Sequence, residues 1–363
     1  MPEAGLWTVT PLVYSDTISK SIDCDVYLKL DTLQPSHSFK YRGLSHFVQK
    51  IRRQKGDGAH LVIASGGNAA IAVACAAKAV GARCSTFMPL GTSAAVVAYV
   101  ERQGADVRLE GVEYIHALEG AQKFVEDDPD GCVMVPAYDH EWLWEGHSSM
   151  IHEIQAQLPA GRVPDAVLCA VGGGGLLGGV LTGCAAVGWS KVPVIALETH
   201  GTACLYHSLV LNTRPDYSLP SGIKASTPEE GGPRLATLDA ITSRAQSLGA
   251  RAPSYGVLKK ALAHPGGVTP VAVTDEHAMR AALEFADEQK ILVELACATA
   301  LTPAYNPALA KKLFPSSDGK RKTVVFIVCG GYKITLEDLV GYKAHLASDQ
   351  VDTRRILVNG EEV

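Results

Sequence analysis

Ala166-Val167-Leu168-Cys169-Ala170-Val171-Gly172-Gly173-Gly174-Gly175, running into Leu176 to Ala186, decides the fold class. The six apolar residues have no polar alternation, as expected of a strand buried on both faces. Four glycines then make a turn, and an apolar helical stretch follows. The same order occurs earlier. Leu61-Val62-Ile63-Ala64 leads into Ser65-Gly66-Gly67-Asn68, and the Ala-rich stretch Ala69 to Val80 has high helix propensity. Val192 to Leu197 and Val324 to Val328 read as further strands, the latter ending at Cys329-Gly330-Gly331. Strands alternating with helices imply an α/β fold, with mostly parallel sheets flanked by helices. The segment Asn212 to Leu238 is rich in Pro, Gly, Ser and Glu and reads as a surface loop or insertion.

In such sheets ligands gather where strands end and helices begin. The Gly172–Gly175 turn lets the backbone approach an anion closely, and the helix start behind it presents free N–H groups, so a phosphate is the natural guest. The Walker pattern is absent. A dinucleotide is a rival: Gly173-Gly174-Gly175-Leu176-Leu177-Gly178 matches G-x-G-x-x-G, and Glu198 ends the next strand, where a ribose-binding acid belongs. A run of four glycines meets that pattern easily, which weakens the match. Ser65-Gly66-Gly67-Asn68 reads two ways. Asn68 is a good helix cap, or the loop is a second anion site for a substrate carboxylate, with Asn68 bonding a cofactor oxygen. Lys40 lies in Gln34-Pro35-Ser36-His37-Ser38-Phe39-Lys40-Tyr41-Arg42-Gly43. A lysine is ordinarily a solvated charge. Buried, its pKa falls and its amine becomes a nucleophile able to form a Schiff base.

Together, Ser38-Phe39-Lys40, Ser65–Asn68, Gly172–Gly175 and Cys329-Gly330-Gly331 resemble the fold-type II pyridoxal-phosphate enzymes, which are tryptophan synthase β-like. The nearest likeness is to the eukaryotic L-serine/L-threonine dehydratases (serine ammonia-lyases). It runs from Thr10-Pro11-Leu12 to about Leu336 and includes Trp144-Glu145-Gly146-His147 and Ile291-Leu292-Val293-Glu294. The order of the motifs demotes the dehydrogenase reading. The resemblance implies two domains: a large pyridoxal 5'-phosphate (PLP) binding unit of 1–40 and 142–363, and a small substrate-carboxylate unit of 41–141. It implies that Lys40 holds the cofactor covalently and acts as the catalytic base, and that Phe39 lies against the ring. Asn68 would bond the ring hydroxyl, Gly172, Gly173, Gly174 and Gly175 the phosphate, and Cys329 the pyridine nitrogen. Ser65, Gly66, Gly67, Asn68 and Ala69 would take the substrate carboxylate. A monovalent or divalent cation would be held by Glu198 with Thr202, Leu248 and Ala250.

The activity so implied is β-elimination of L-serine, L-threonine or a related β-substituted amino acid to a 2-oxo acid and ammonia. β-Replacement on a modified amino acid is the alternative within the fold. A nicotinamide oxidoreductase or a silent amino-acid-binding module is the alternative outside it. Serine racemases resemble this pattern but carry Ser where Gly66 stands, so elimination is favoured over racemisation. The chain departs from the family at His37, Ala70, Leu295, Ala298, Tyr332 and Lys333. His37 and Tyr332 add bulk near the site, which fits either drift or a specialised substrate.

The 363 residues are 47% hydrophobic and 20% charged, with a formal charge of −5, which argues against disorder. No basic stripe points to nucleic acid, and no apolar run reaches membrane-spanning length. Met1 to Gly5 lacks a basic and apolar signal pattern, and the nine scattered cysteines form no C-x-x-C pair. Free thiols in a cytoplasmic protein are expected. By resemblance it is a homodimer.

Overall fold

The computed structural model describes residues 5–315, 319–349, 351 and 356–363. All but Gly5 of the Met1 to Gly5 stretch lies outside them, as do the corresponding parts of the expected 1–40 and 142–363 unit.

Two sheets carry the chain. The smaller has four parallel strands in the order Asp106–Leu109, Arg83–Met88, His60–Ala64 and Cys132–Met134. The larger has eight, in the order Leu12–Tyr14, Cys24–Leu30, Lys322–Val328, Ala166–Ala170, Val194–Thr199, Val268–Val273, Leu357–Val358 and Glu361–Glu362. Its five central strands are parallel, and its edge strands pair antiparallel. Val324 to Val328 and Val194 to Leu197 are all buried, which explains why these strands read as unbroken apolar runs. The strand expected from Val192 starts at Val194 instead. Pro193 has no N–H to give the ladder, and its carbonyl accepts from Val167 N–H at 3.1 Å.

Asn212 to Leu238 is not all loop. Ile223–Ser226 and Leu235–Leu238 pair as a short antiparallel ribbon. Ala236 and Leu238 are buried, and Ala236 N–H bonds the Ser208 hydroxyl at 2.9 Å. Tertiary packing there overrides a turn-rich composition.

The helix Lys40–Lys55 packs against both Asn68–Val80 of the small-sheet layer and Glu141–Gln157. Its first residue is Lys40, so the joint between the layers is where that amine sits. All nine cysteines are free and buried. Among the described residues no helix is long and apolar enough to cross a membrane.

Candidate active site

Lys40 is placed by what precedes it. Phe39 N–H donates to the Cys329 carbonyl at 3.0 Å, and Gly331 N–H to the His37 carbonyl at 2.8 Å, so the lysine loop and the Cys329 loop are stitched together. Gly330 has φ +79, and a Cβ there would come within 2.5 Å of the His37 carbonyl oxygen, so only glycine permits the stitch. His37 itself has φ +60, which is uncommon for a side-chain-bearing residue. Lys40 Nζ donates to the Ala137 carbonyl at 2.6 Å, and burial lowers its pKa to about 8. Desolvation of the charged form is the cause, and it makes the neutral, nucleophilic amine accessible near neutral pH.

Beneath Lys40 lies His147, which is buried, with its ring 4.9 Å from that of Phe39. Its Nδ1 accepts from Gly43 N–H at 3.1 Å. Burial, then the charges of Lys40 and Arg42, hold it well below the usual histidine range. It is a neutral prop for the first turn of the lysine helix. His140 caps the Glu141–Gln157 helix through Nδ1 and Trp142 N–H at 3.1 Å, which makes it structural.

Asn68 does not cap its helix. Gly67 holds the cap position, and the Asn68 amide turns outward. Its Nδ2 donates to Glu294 Oε1 at 2.9 Å, and its Oδ1 accepts from Tyr332 N–H at 3.0 Å. Glu294 is the hub of this wall. It also accepts from Lys333 N–H at 3.0 Å and from the Ser247 hydroxyl. Ser65 Oγ accepts from Gly67 N–H at 3.3 Å, and Ala69 is buried in the first helical turn. A Cβ on Gly66 would lie 2.5 Å from Thr92 Oγ1, so the Thr92 hydroxyl fills the space a side chain at 66 would take.

Gly172 to Gly175 pass between the Tyr138 side chain and the Leu248 backbone. A Cβ on Gly172 would meet Leu248 Cα at 2.9 Å, and Gly174 has φ +95. Only glycine fits either position. The helix Gly175–Ala186 starts there and turns the unpaired N–H groups of its first turn toward the loop. Cys329 is buried. A hydrogen bond with Cys297, then burial, pushes its thiol well above the usual range, so it is a neutral thiol. The Cys297 sulfur accepts from Gly330 N–H at 3.3 Å.

Glu198 is engaged by the next helix. It is fully buried, and its two oxygens accept the N–H groups of Leu205 (3.0 Å) and Tyr206 (2.5 Å) at the start of the helix Cys204–Thr213. That removes the acid the dinucleotide reading required. Thr202 bonds Thr199 Oγ1 at 2.8 Å, Leu248 packs on Gly172, and Ala250 N–H bonds the Leu248 carbonyl at 2.7 Å. Among the described residues no group of three or more His, Cys, Asp or Glu side chains could hold a metal. Any cation here relies on Glu198 and backbone oxygens, a donor type hard cations accept.

Burial raises the Glu198 pKa to about 8, against the pull of its two backbone hydrogen bonds. The unfolded value is about 4.3. A folded pKa above the unfolded one stabilises the fold fully below about pH 4.3 and loses that contribution as pH rises through 8. In metal-free buffer, the urea midpoint of Glu198→Gln should therefore gain on that of the unaltered protein as pH rises from about 5 to about 8. Equal slopes for the two proteins would exclude Glu198 as the titrating group.

The residues present fit PLP. A glycine cradle with a helix start suits a phosphate, Lys40 is a buried amine of lowered pKa, and the buried Ser38 hydroxyl has no hydrogen-bond partner among the described residues. The comparisons agree. The sequence profile of the pyridoxal-phosphate dependent enzymes matches residues 4–330, and the chain belongs to that family. This excludes the nicotinamide reading. The chain is 37% identical to a human protein named serine dehydratase-like, covering 93% of this chain and 94% of that one. It is also 37% identical to the bovine L-serine dehydratase/L-threonine deaminase, covering 94% and 96%. Among solved structures it resembles a fungal L-serine ammonia-lyase from Rhizomucor miehei, with TM-score 0.82, 32% identity, and coverage of 94% and 99%.

Lys40, Phe39, Asn68, Cys329 and the Ser65–Ala69 loop are linked through the bonds above. Gly172–Gly175 and Leu248 form a second edge. The sequence reading passed over Glu294 and His147 as site residues. Both stood inside family motifs, but nothing local marked their roles.

Proposed function

We propose that the protein eliminates the β-substituent of L-serine, L-threonine or a related β-substituted L-amino acid, releasing a 2-oxo acid and ammonia. The observation that carries this is the buried, low-pKa Lys40 amine joined by short backbone bonds to the Cys329 loop. The names of its relatives agree with it. PLP would be held by Lys40, Phe39, Asn68, Gly172, Gly173, Gly174, Gly175 and Cys329. The chemistry it supplies is withdrawal of electrons from the substrate Cα. The chain does the rest. The Ser65–Ala69 loop holds the substrate carboxylate with N–H groups at the start of the Asn68–Val80 helix. The freed Lys40 amine stands next to the α-carbon and takes its proton. Neutral Cys329 does not add positive charge at the pyridine nitrogen, and neutral His147 keeps Phe39 and the lysine helix in place. The small unit would span 41–141 and the large one 1–40 with 142–363, with the cofactor between them. The protein would work in the cytoplasm as a homodimer, with a cation near Glu198.

Incubating the holoenzyme with L-serine and L-threonine should give 2-oxo acid and ammonia with little D-isomer. Gly66 offers no proton donor on the face opposite Lys40. Gly66→Ser alone should raise the D-isomer share only slightly, because the new Cβ meets Thr92 Oγ1. Gly66→Ser combined with Thr92→Ala frees that space and should raise it further. Abundant D-serine from the unaltered enzyme would contradict the argument.

A further inference from the structure

We infer that Lys333 is a specificity-determining residue that takes a second anionic group of the substrate. The preferred substrate class is then a β-hydroxy-α-amino dicarboxylate. This rests on the lyase reading above and narrows it.

The Lys333 backbone is pinned. Its N–H is held by Glu294, and the N–H of Tyr332 before it by Asn68. The Tyr332 ring is wedged between His37, with ring centres 5.7 Å apart, and Tyr99, at 4.6 Å. Tyr99 is in turn tied by its hydroxyl to the Pro35 carbonyl at 3.2 Å. Held this way, the Lys333 side chain lies back across Gly67, in the loop assigned to the substrate carboxylate. Its Cε and Nζ stand 3.6 and 3.7 Å from the point a Gly67 Cβ would occupy.

Lys333 is half-buried, and among the described residues no carboxylate pairs with its ammonium. Glu294, the nearest acid by bonding, already serves Asn68, Ser247 and the Lys333 backbone. Asp338 caps the helix Leu336–Leu346 through Thr335. Lys333 also borders a cleft of about 380 Å³ shared with Arg244, Glu294, Glu337, Asp338 and Tyr342.

A cation held beside a loop that takes a carboxylate, with no carboxylate of the chain paired to it, attracts a further anionic group. Serine brings one carboxylate, and the helix start and Ser65 already serve that group. A second cation beside the same loop therefore matches a second carboxylate. The reaction balances with the established chemistry. The Cα–H proton goes to Lys40, and its electron pair forms Cα=Cβ. The Cβ–O bond breaks with its electron pair going to oxygen, and the proton taken by Lys40 is returned to that oxygen, so that the hydroxyl leaves as water. The enamine tautomerises, and one water hydrolyses it to ammonia and a 2-oxo dicarboxylic acid.

The test compares holoenzyme with Lys333→Met and Lys333→Arg. Steady-state kinetics on threo-3-hydroxy-L-aspartate and L-serine give a ratio of kcat/KM. The ratio should favour the dicarboxylate at least ~10-fold in the unaltered enzyme. It should fall about 10–100-fold in Lys333→Met, mainly through KM, and be largely kept in Lys333→Arg. Independently of turnover, succinate should raise the thermal midpoint more than propionate does, and Lys333→Met should remove the difference. An unchanged ratio in Lys333→Met, or no preference for succinate over propionate, overturns the assignment. If no amino acid turns over but the succinate difference appears and vanishes in Lys333→Met, the second-anion site stands and the lyase reading fails.

Discussion

Lys40→Ala abolishes the visible absorbance that PLP gives when covalently held, and lowers elimination on the order of 10³-fold or more. Two roles disappear together, the covalent anchor and the base, so the loss exceeds that for a base alone. The amine can serve both because burial lowers its pKa to about 8. A surface lysine near 10.4 would be almost wholly charged at neutral pH and a poor nucleophile. Lys40→Arg should be no better, because guanidinium stays protonated. Borohydride reduction of the holoenzyme followed by peptide mapping should place the label on Lys40. A label on another lysine, or retained colour and activity in Lys40→Ala, would overturn both the anchor and the base.

The parts of this site that were legible in the sequence share one property. They are written in consecutive residues. Gly172–Gly175 and Ser65–Asn68 each sit between an apolar run and a helical run, so strand, turn and helix could be read together. The parts that were hidden depend on long-range contact. Asn68 looks like a helix cap because local propensity favours it there. It is instead drawn to Glu294, 226 residues away, and the cap falls to Gly67. His147 reads as an ordinary helix residue, and only folding brings it under Phe39. Glu198 reads two ways in the sequence, as a ribose-binding acid near the end of a strand or, by resemblance, as a cation ligand. Its oxygens accept from two N–H groups of the next helix, a use that the residue pattern does not show. Thr92 was invisible because its meaning depends on a missing side chain at Gly66. His37 and Tyr332 stood out as departures, but their shared partner Tyr99 carries no local sign of it.

Arg42→Ala should be the most destabilising single change to the scaffold behind the site, at about 3–5 kcal/mol in urea unfolding. Arg42 is fully buried two residues after Lys40. Its Nε and Nη2 bond Asp31 at 2.7 and 2.8 Å, and Nη1 and Nη2 bond Glu153 at 2.6 and 2.8 Å. Lys29, also buried, adds a bond to Glu153 at 2.6 Å. Two cations and two carboxylates thus balance, and they tie the strand Cys24–Leu30, the lysine helix and the helix Glu141–Gln157 at one point. The fork geometry matters: a lysine at 42 has a single ammonium and cannot span two carboxylates side by side, so Arg42→Lys should recover only part of the loss. Removing Arg42 leaves Asp31, itself fully buried, without its cation. Most of the cost is that stranded charge rather than the lost attraction. Combining Arg42→Met with Asp31→Asn should therefore cost less than the sum of the two single changes, by more than about 1 kcal/mol. Strict additivity, or a loss below about 1 kcal/mol in Arg42→Ala, would show that the network does not hold the lysine helix in place.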